Sequence, residues 1–148
     1  MKLDLTTAPS PEDAKTLSEG LRSFNQAAIG EKATAEAELG FSVFARDDDG
    51  VVIGGLRATC FWDTLHVECT WLSEEARGQG TGTALLAAAE RFAVQHGFEQ
   101  ALLETTTWQA RPFYEKLGYE VVATLPNYPK GHAMHLLRKL LVDRAEEA

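Results

Sequence analysis

The sequence predicts an α/β protein, with a mixed and mostly antiparallel sheet of six to seven strands flanked by about four helices. Three observations carry that expectation. Near the N-terminus apolar residues recur at helical spacing, as Leu17, Leu21 and Phe24. From Phe41 the period falls to two, in three strand-like runs joined by short turns. Beyond residue 72 helical and strand-like segments follow one another in neither a repeat array nor strict βαβ order, so a mixed sheet covered by helices is the simplest packing. The 148 residues suit one domain, 1–148, with a single core.

Each element has its own local reason. "KLDLTT" reads as a short first strand, stopped by "APSPED". Ser10 can cap a helix, with Pro11 at its first position and Glu12 and Asp13 in the positive first turn. "PEDAKTLSEGLRSFNQAAIG" is then an amphipathic helix, and "EKATAEAELG" a second weakly helical piece or a loop. In "FSVFARDDDGVVIGGLRATCFWDTLHVECTWL" the turns "DDDG" and "WDT" separate three strands of an antiparallel meander. A glycine loop leads into a helix through about His96, and "QALLETT" is the next strand. "QARPFYEKLG" is a helix, with Pro112 tolerated in its first turn and Gly118 supplying a left-handed stop. "YEVVATL" and "HAMHLLRKLL" are the last strands, around the loop "PNYPKG", and "DRAEEA" reads as a frayed tail.

Composition narrows the function class. A net charge of −8 disfavours binding led by nucleic-acid phosphates and mildly favours a cationic partner such as an amine. Cys60 and Cys69 are too few for a disulfide framework and lack metal-type spacing, so both read as buried thiols in a reducing compartment. The start "MKLDLTTAPSPEDAK" turns polar too soon for a signal peptide, and no apolar run approaches the roughly 20 residues of a membrane span. These features lead us to expect a soluble, cytoplasmic protein with no nucleic-acid or membrane partner; a homodimer is left open.

The chemistry-bearing stretch is "SEEARGQGTGTALLAAAERFAVQHG". Glycines before a helix N-terminus make an anion site, because the first turn has unpaired N–H groups and positive potential. A P-loop needs Lys then Ser or Thr after the last glycine, but Gly82 is followed by Thr83 and Ala84. A dinucleotide fingerprint needs Gly-x-Gly-x-x-Gly, and Gly78-Gln79-Gly80-Thr81-Gly82 has the wrong register. The spacing that matches is Arg-x-x-Gly-x-Gly, from Arg77 to Gly82, which resembles the acetyl-CoA motif of the GNAT N-acetyltransferase superfamily. Downstream, "ARPFYEKLGYEVV" closely resembles that family's other motif, in the expected element order.

The resemblance implies a splayed sheet, with the thioester of acetyl-CoA lying between the strands "TLHVECTWL" and "QALLETT". Backbone amides of Gly78, Gln79, Gly80, Thr81 and Gly82 would hold the pyrophosphate, framed by Arg77. Trp71 and Leu72 would lie along the pantetheine arm, the Leu72 amide polarising the acetyl carbonyl as an oxyanion-type donor. Tyr114 would be the general acid for the departing thiolate, with Ala110 and Phe113 beside the cofactor. Many relatives have Asn seven residues before this tyrosine, where the chain has Thr107. A hydroxyl cannot present an amide's pair of bonds, so Gln109 is a candidate to compensate.

Transfer to an amine also needs a base. Strict alternation puts His66, Glu68 and Thr70 on one face of their strand, with Leu65, Val67 and Cys69 on the other. Val67 and Cys69 read as core. Glu68 is expected to hold the water that takes the amine proton, and His66 to orient it or the substrate, since a neighbouring carboxylate favours protonated imidazole unless burial offsets that charge. His96 reads as a helix C-cap, and His132 and His135 fall on opposite strand faces without a third metal ligand. Topology puts Asn25, Trp62, Trp71, Tyr128 and His132 around the acceptor. The function implied is an acetyl-CoA-dependent N-acetyltransferase acting on a primary amine, small molecule or peptide, by direct attack in a ternary complex, with no metal. Two rivals are an idle acyl-CoA-binding sensor, opposed by Tyr114, and a nucleotide-binding regulatory domain, opposed by the loop register.

Overall fold

Ser10 opens the first helix, α1 (Pro11–Ile29), its side chain accepting the Asp13 N–H at 3.0 Å, with Pro11 at the first helical position. The helix ends at Gly30, whose positive φ of 86° glycine adopts without strain. The computed structural model describes residues 1–30 and 38–142. Its backbone forms two units, Met1–Ala37 and Glu38–Ala148. Within the first unit, "KLDLTT" is not a strand. Alternation alone makes no strand, and among the described residues no neighbour accepts this segment's ladder bonds. The expected second helical piece lies mostly at 31–37 and the expected frayed tail at 143–148, both outside the described residues.

The second unit holds the sheet. Strands β1 (Leu39–Arg46), β2 (Val52–Phe61) and β3 (Thr64–Leu72) form the expected meander. The first turn is tied by Asp47, whose Oδ1 accepts from Asp49 N–H and Val51 N–H, both at 2.9 Å. The second is a two-residue turn, Trp62 and Asp63, with φ of 49° and 58°, matching the twist of the flanking strands. A short 3₁₀ turn (Glu74–Ala76) precedes α2 (Thr81–Gln95), followed by β4 (Gln100–Thr106), α3 (Arg111–Lys116), β5 (Glu120–Pro126) and β6 (Ala133–Leu140).

The sheet order is β1-β2-β3-β4-β6-β5, and β3–β4 is the one parallel pair among the described strands. Parallel neighbours need a crossover, and α2 supplies it. The chain is therefore an α/β fold, with a six-stranded, mostly antiparallel sheet and three α-helices among the described residues, rather than about four. Helix α2 packs across β1, β2 and β3, burying Leu85, Leu86, Ala89 and Ala93. Ala89 and Ala93 are fully buried, their small side chains allowing close approach to core residues such as Leu56, Ala58, Leu65 and Val67. No helix among the described residues is long and apolar enough to cross a membrane.

One irregularity determines where the functional groups point. Arg57 pairs with Cys69, and Ala58 with Val67, leaving Glu68 as an extra residue in β3. This bulge breaks the alternation expected from sequence. Thr70 lies opposite buried Leu56 and so shares the core face, whereas Cys69 lies opposite Arg57 and is exposed. Cys69 is thus not a core thiol. Cys60 is buried, and burial pushes its thiol up to about 11.

Candidate active site

The parallel ladder between β3 and β4 runs from Thr64↔Gln100 to Val67↔Leu103 and stops there. Both strands continue, to Leu72 and Thr106, without pairing to one another. The resulting split holds a cavity of about 540 Å³. Glu68, Cys69 and Thr70 line it from β3, Glu104 and Thr105 from β4, and Arg77, Trp108, Gln109, Ala110 and Tyr114 from the following segments. A second cavity of about 390 Å³ shares Glu68 and Glu104 with the first and adds His66, Leu102 and Leu136. A third, of about 490 Å³, runs from the β1–β2 turn past Trp71, Leu72 and Ser73 to Arg77, which it shares with the first. Of the cofactor contacts expected from sequence, Trp71 and Leu72 line the third cavity, Ala110 the first and Arg77 both, whereas the residues from Gly78 to Gly82, Thr107 and Phe113 line neither.

The glycine loop has the features of an anion cradle. Gly78 and Gly80 have φ of 74° and 78°, and a Cβ built on either would meet nothing within 4 Å. Gly80 is the N-cap of α2 and offers no side-chain bond, and the first turn contains no acidic residue. Its amides thus remain available to an anion. Arg77 is exposed and makes no ion pair among the described residues. Gly82 has a different role, since a Cβ there would lie 3.1 Å from the Phe113 ring and 3.4 Å from Leu72. This third glycine lets α2 pack against α3. The Gln79 side chain folds back, donating to the Glu75 carbonyl at 2.8 Å, so only its backbone faces the loop's open side. These residues suit a pyrophosphate.

Along β3, the Ser73 N–H is bonded to the Ile53 carbonyl of β2 at 2.9 Å. Alternation then directs the Leu72 N–H toward the opposite, β4-facing edge. Across the split, Tyr114 on α3 is held by ring contacts with Phe113 and Tyr119, at 5.1 and 5.9 Å between centroids. Thr107 has its hydroxyl committed elsewhere: it donates to the Ala133 carbonyl at 3.0 Å and accepts the Ala133 N–H at 2.7 Å. That residue pins the loop after β4 to β6. Gln109 braces the same loop through the Thr106 N–H at 2.8 Å and also lines the split.

At His66 burial offsets the neighbouring charge, and Glu68 is held by its own partners on β2. Glu68 accepts from Arg57 Nε at 2.6 Å and from the Thr59 hydroxyl, both on the strand beside it. These bonds hold its carboxyl below the usual carboxylate range, Thr59 contributing most, and raise the Arg57 guanidinium in turn. His66 stacks on Phe61 at 4.0 Å, and its Nε2 is buried without a partner among the described residues. Burial pushes the imidazole below its ordinary 6.5, outweighing the nearby carboxylates. His66 is thus neutral near pH 7.

Three residues that line the first cavity escaped the sequence reading: Glu104, Thr105 and Trp108. Glu104 carried a usable signal, a charge directly after the apolar run Ala101–Leu103 of a central strand. It makes no ion pair among the described residues. Of the acceptor-side residues expected, His132 meets Trp108 edge-on at 4.9 Å, at the rim of the first cavity. Tyr128 lies in the same β5–β6 loop, its N–H bonded to the His132 carbonyl at 3.1 Å. Trp62 sits in the β2–β3 turn, beyond the paired end of β3 and β4, and Asn25 lies on α1 in the first unit.

The comparisons with known proteins agree with this fold. A Blasticidin-S acetyltransferase of Streptomyces morookaense is 38% identical over 102 residues, 68% of this chain and 75% of the relative. The crystal structure of an acetyltransferase from Bacillus cereus ATCC 14579 matches with a TM-score of 0.81 at 24% identity, over 93% of this chain and 97% of that one. An aminoglycoside 6′-N-acetyltransferase complexed with coenzyme A matches at 0.66 and 18% identity, over 97% and 99%. At such identities the two structures speak for the fold alone. The model of the GNAT acetyltransferase family matches residues 5–119, and this chain belongs to that family.

Proposed function

We propose that this acetyltransferase is an acetyl-CoA-dependent N-acetyltransferase, moving an acetyl group to a primary amine by direct attack in a ternary complex. The observation that carries the reading is the split itself: Tyr114 and two carboxylates from facing strands line one cavity, beside a glycine loop with unengaged helix amides. Acetyl-CoA supplies an acyl thioester, activated toward nitrogen. The amides of residues 78–82 and Arg77 hold its pyrophosphate, and the Leu72 N–H faces the position of the acetyl oxygen. Tyr114 delivers a proton from its hydroxyl to the departing sulfur.

On the acceptor side, an amine arrives as an ammonium ion and must lose a proton before attack. Glu68 and Glu104 flank its path from opposite strands. Glu68 carries one charge, but Arg57 offsets it and two donors occupy its oxygens. Glu104 is uncompensated, so it takes the amine proton while Glu68 positions the nitrogen. Neutral His66 lines the acceptor wall. The net charge of −8 favours a cationic acceptor, and the 38%-identical relative is named for blasticidin S.

The test has two stages. Acetyl-CoA at a hundredfold excess over its dissociation constant should stabilise the fold by about 2.7 kcal/mol, and Gly80→Asp should remove that shift. Equal shifts with ATP or NAD would count against acetyl-CoA. CoA release is then followed with a panel of small primary amines and N-terminal peptides. Glu104→Gln should reduce turnover by about 10²–10⁴, and Glu68→Gln should mainly raise the KM for the amine. Binding of acetyl-CoA without turnover on any amine would favour the sensor reading.

A further inference from the structure

The two lips of the split carry buried hydroxyls with no hydrogen-bond partner among the described residues. Thr105 on β4 is 1% exposed, and its Oγ1 has no hydrogen-bond partner among the described residues. Thr70 on β3 has its Oγ1 buried and likewise unpartnered. Both line the cavity that contains Tyr114. They also point to the same side of the sheet. Thr70 lies opposite core residue Leu56, and Thr105 is one alternation beyond core residue Leu103.

Burying a hydroxyl without a partner is unfavourable, and valine would fill either position with the same shape and no such penalty. Two orphan hydroxyls on the core face, one on each strand and flanking a single gap, call for a polar group between them. Each hydroxyl can donate one bond and accept another. The group that suits a pair of strands which have stopped bonding is a secondary amide, with N–H and C=O on opposite sides. We infer that Thr70 and Thr105 are positioning residues that clasp an amide of the cofactor's pantetheine arm, one accepting its N–H and the other donating to its carbonyl. The inference rests on acetyl-CoA occupying the split as proposed above.

Thr70→Val, Thr105→Val and the double variant of the full chain test it by titration calorimetry. Two probes are used: coenzyme A, and adenosine 3′,5′-bisphosphate, which lacks the arm and its amides. Each single substitution should weaken coenzyme A about 3- to 10-fold, the double variant more, with adenosine 3′,5′-bisphosphate unaffected. The unliganded variants should melt at or above the wild-type temperature, because an unsatisfied hydroxyl has been removed. Thr105→Ser, which restores the hydroxyl, should recover most of the affinity. Wild-type coenzyme A affinity in the double variant would overturn the clasp, as would equal weakening of both probes. Failure of the wild-type protein to bind either probe would instead overturn the acetyl-CoA reading, and the clasp with it.

Discussion

Strands β3 and β4 have a closed end and an open end, and the two halves are built by opposite rules. In the closed half, Thr64 to Val67 pair with Gln100 to Leu103, and Leu65, Val67, Ala101 and Leu103 are buried. Polar groups at its far end find partners: Gln100 donates to the Thr64 hydroxyl at 2.8 Å, and Thr64 donates to the Trp62 carbonyl at 2.8 Å. In the open half the ladder is gone, two carboxylates line one cavity, and Thr70, Thr105 and Thr106 hold hydroxyls without a partner among the described residues. Each such hydroxyl costs about 1–3 kcal/mol if nothing bonds to it. His66, at the boundary, shares features of both, pairing in the ladder with a buried, unpartnered nitrogen. The closed half supplies stability, which lets the open half hold polar groups in readiness for a ligand.

Substitutions can break that division. The largest effect is expected at the open end, where Tyr114→Phe keeps the ring contacts and removes only the hydroxyl. Turnover should fall about 10²–10⁴-fold while melting temperature and coenzyme A affinity stay near wild type. Unchanged turnover with the best amine would mean that another group protonates the sulfur.

At the closed end the expected loss is of stability instead. Leu65 is fully buried, and Leu65→Ala should cost about 2–5 kcal/mol in urea unfolding, with coenzyme A affinity retained by the folded fraction. A collapse of affinity with little loss of stability would show that the two halves are not separable.

The smallest effect lies at the boundary. Burial holds His66 below 6.5, so between that value and its folded pKa the unfolded chain binds more protons. The stability linked to this group is complete above about 6.5 and is lost as pH falls through the lower folded value. Thermal melts from pH 7 to pH 5 should therefore decline less steeply for His66→Gln than for wild type. Identical slopes would show that the imidazole is not desolvated.

The parts of this protein that were legible in the sequence are those set by neighbours along the chain. The Ser10 cap, the Trp62–Asp63 turn and the stop at Gly118, whose φ is 95°, follow from local backbone preferences, and each appears where its residues predict. "KLDLTT" failed because a strand needs a partner that its own pattern cannot provide. Glu104 was visible as a charge directly after the apolar run Ala101–Leu103, but that it lines one cavity with Glu68 depends on a gap that has no local signature.

By itself the sequence determined the α/β class, the meander, the crossover helix and the loop with its motif register, since periodicity and turn chemistry act over a few residues. Only the tertiary structure decided that the ladder stops at Val67 and Leu103, and that Glu68 is an extra residue opposite β2. That bulge exchanged the faces expected for Cys69 and Thr70, and gave Glu68 to Arg57 and Thr59. The physical reason is that strand register and bulges are fixed by hydrogen-bond partners distant in sequence, so a one-residue offset leaves no mark on the strand that carries it.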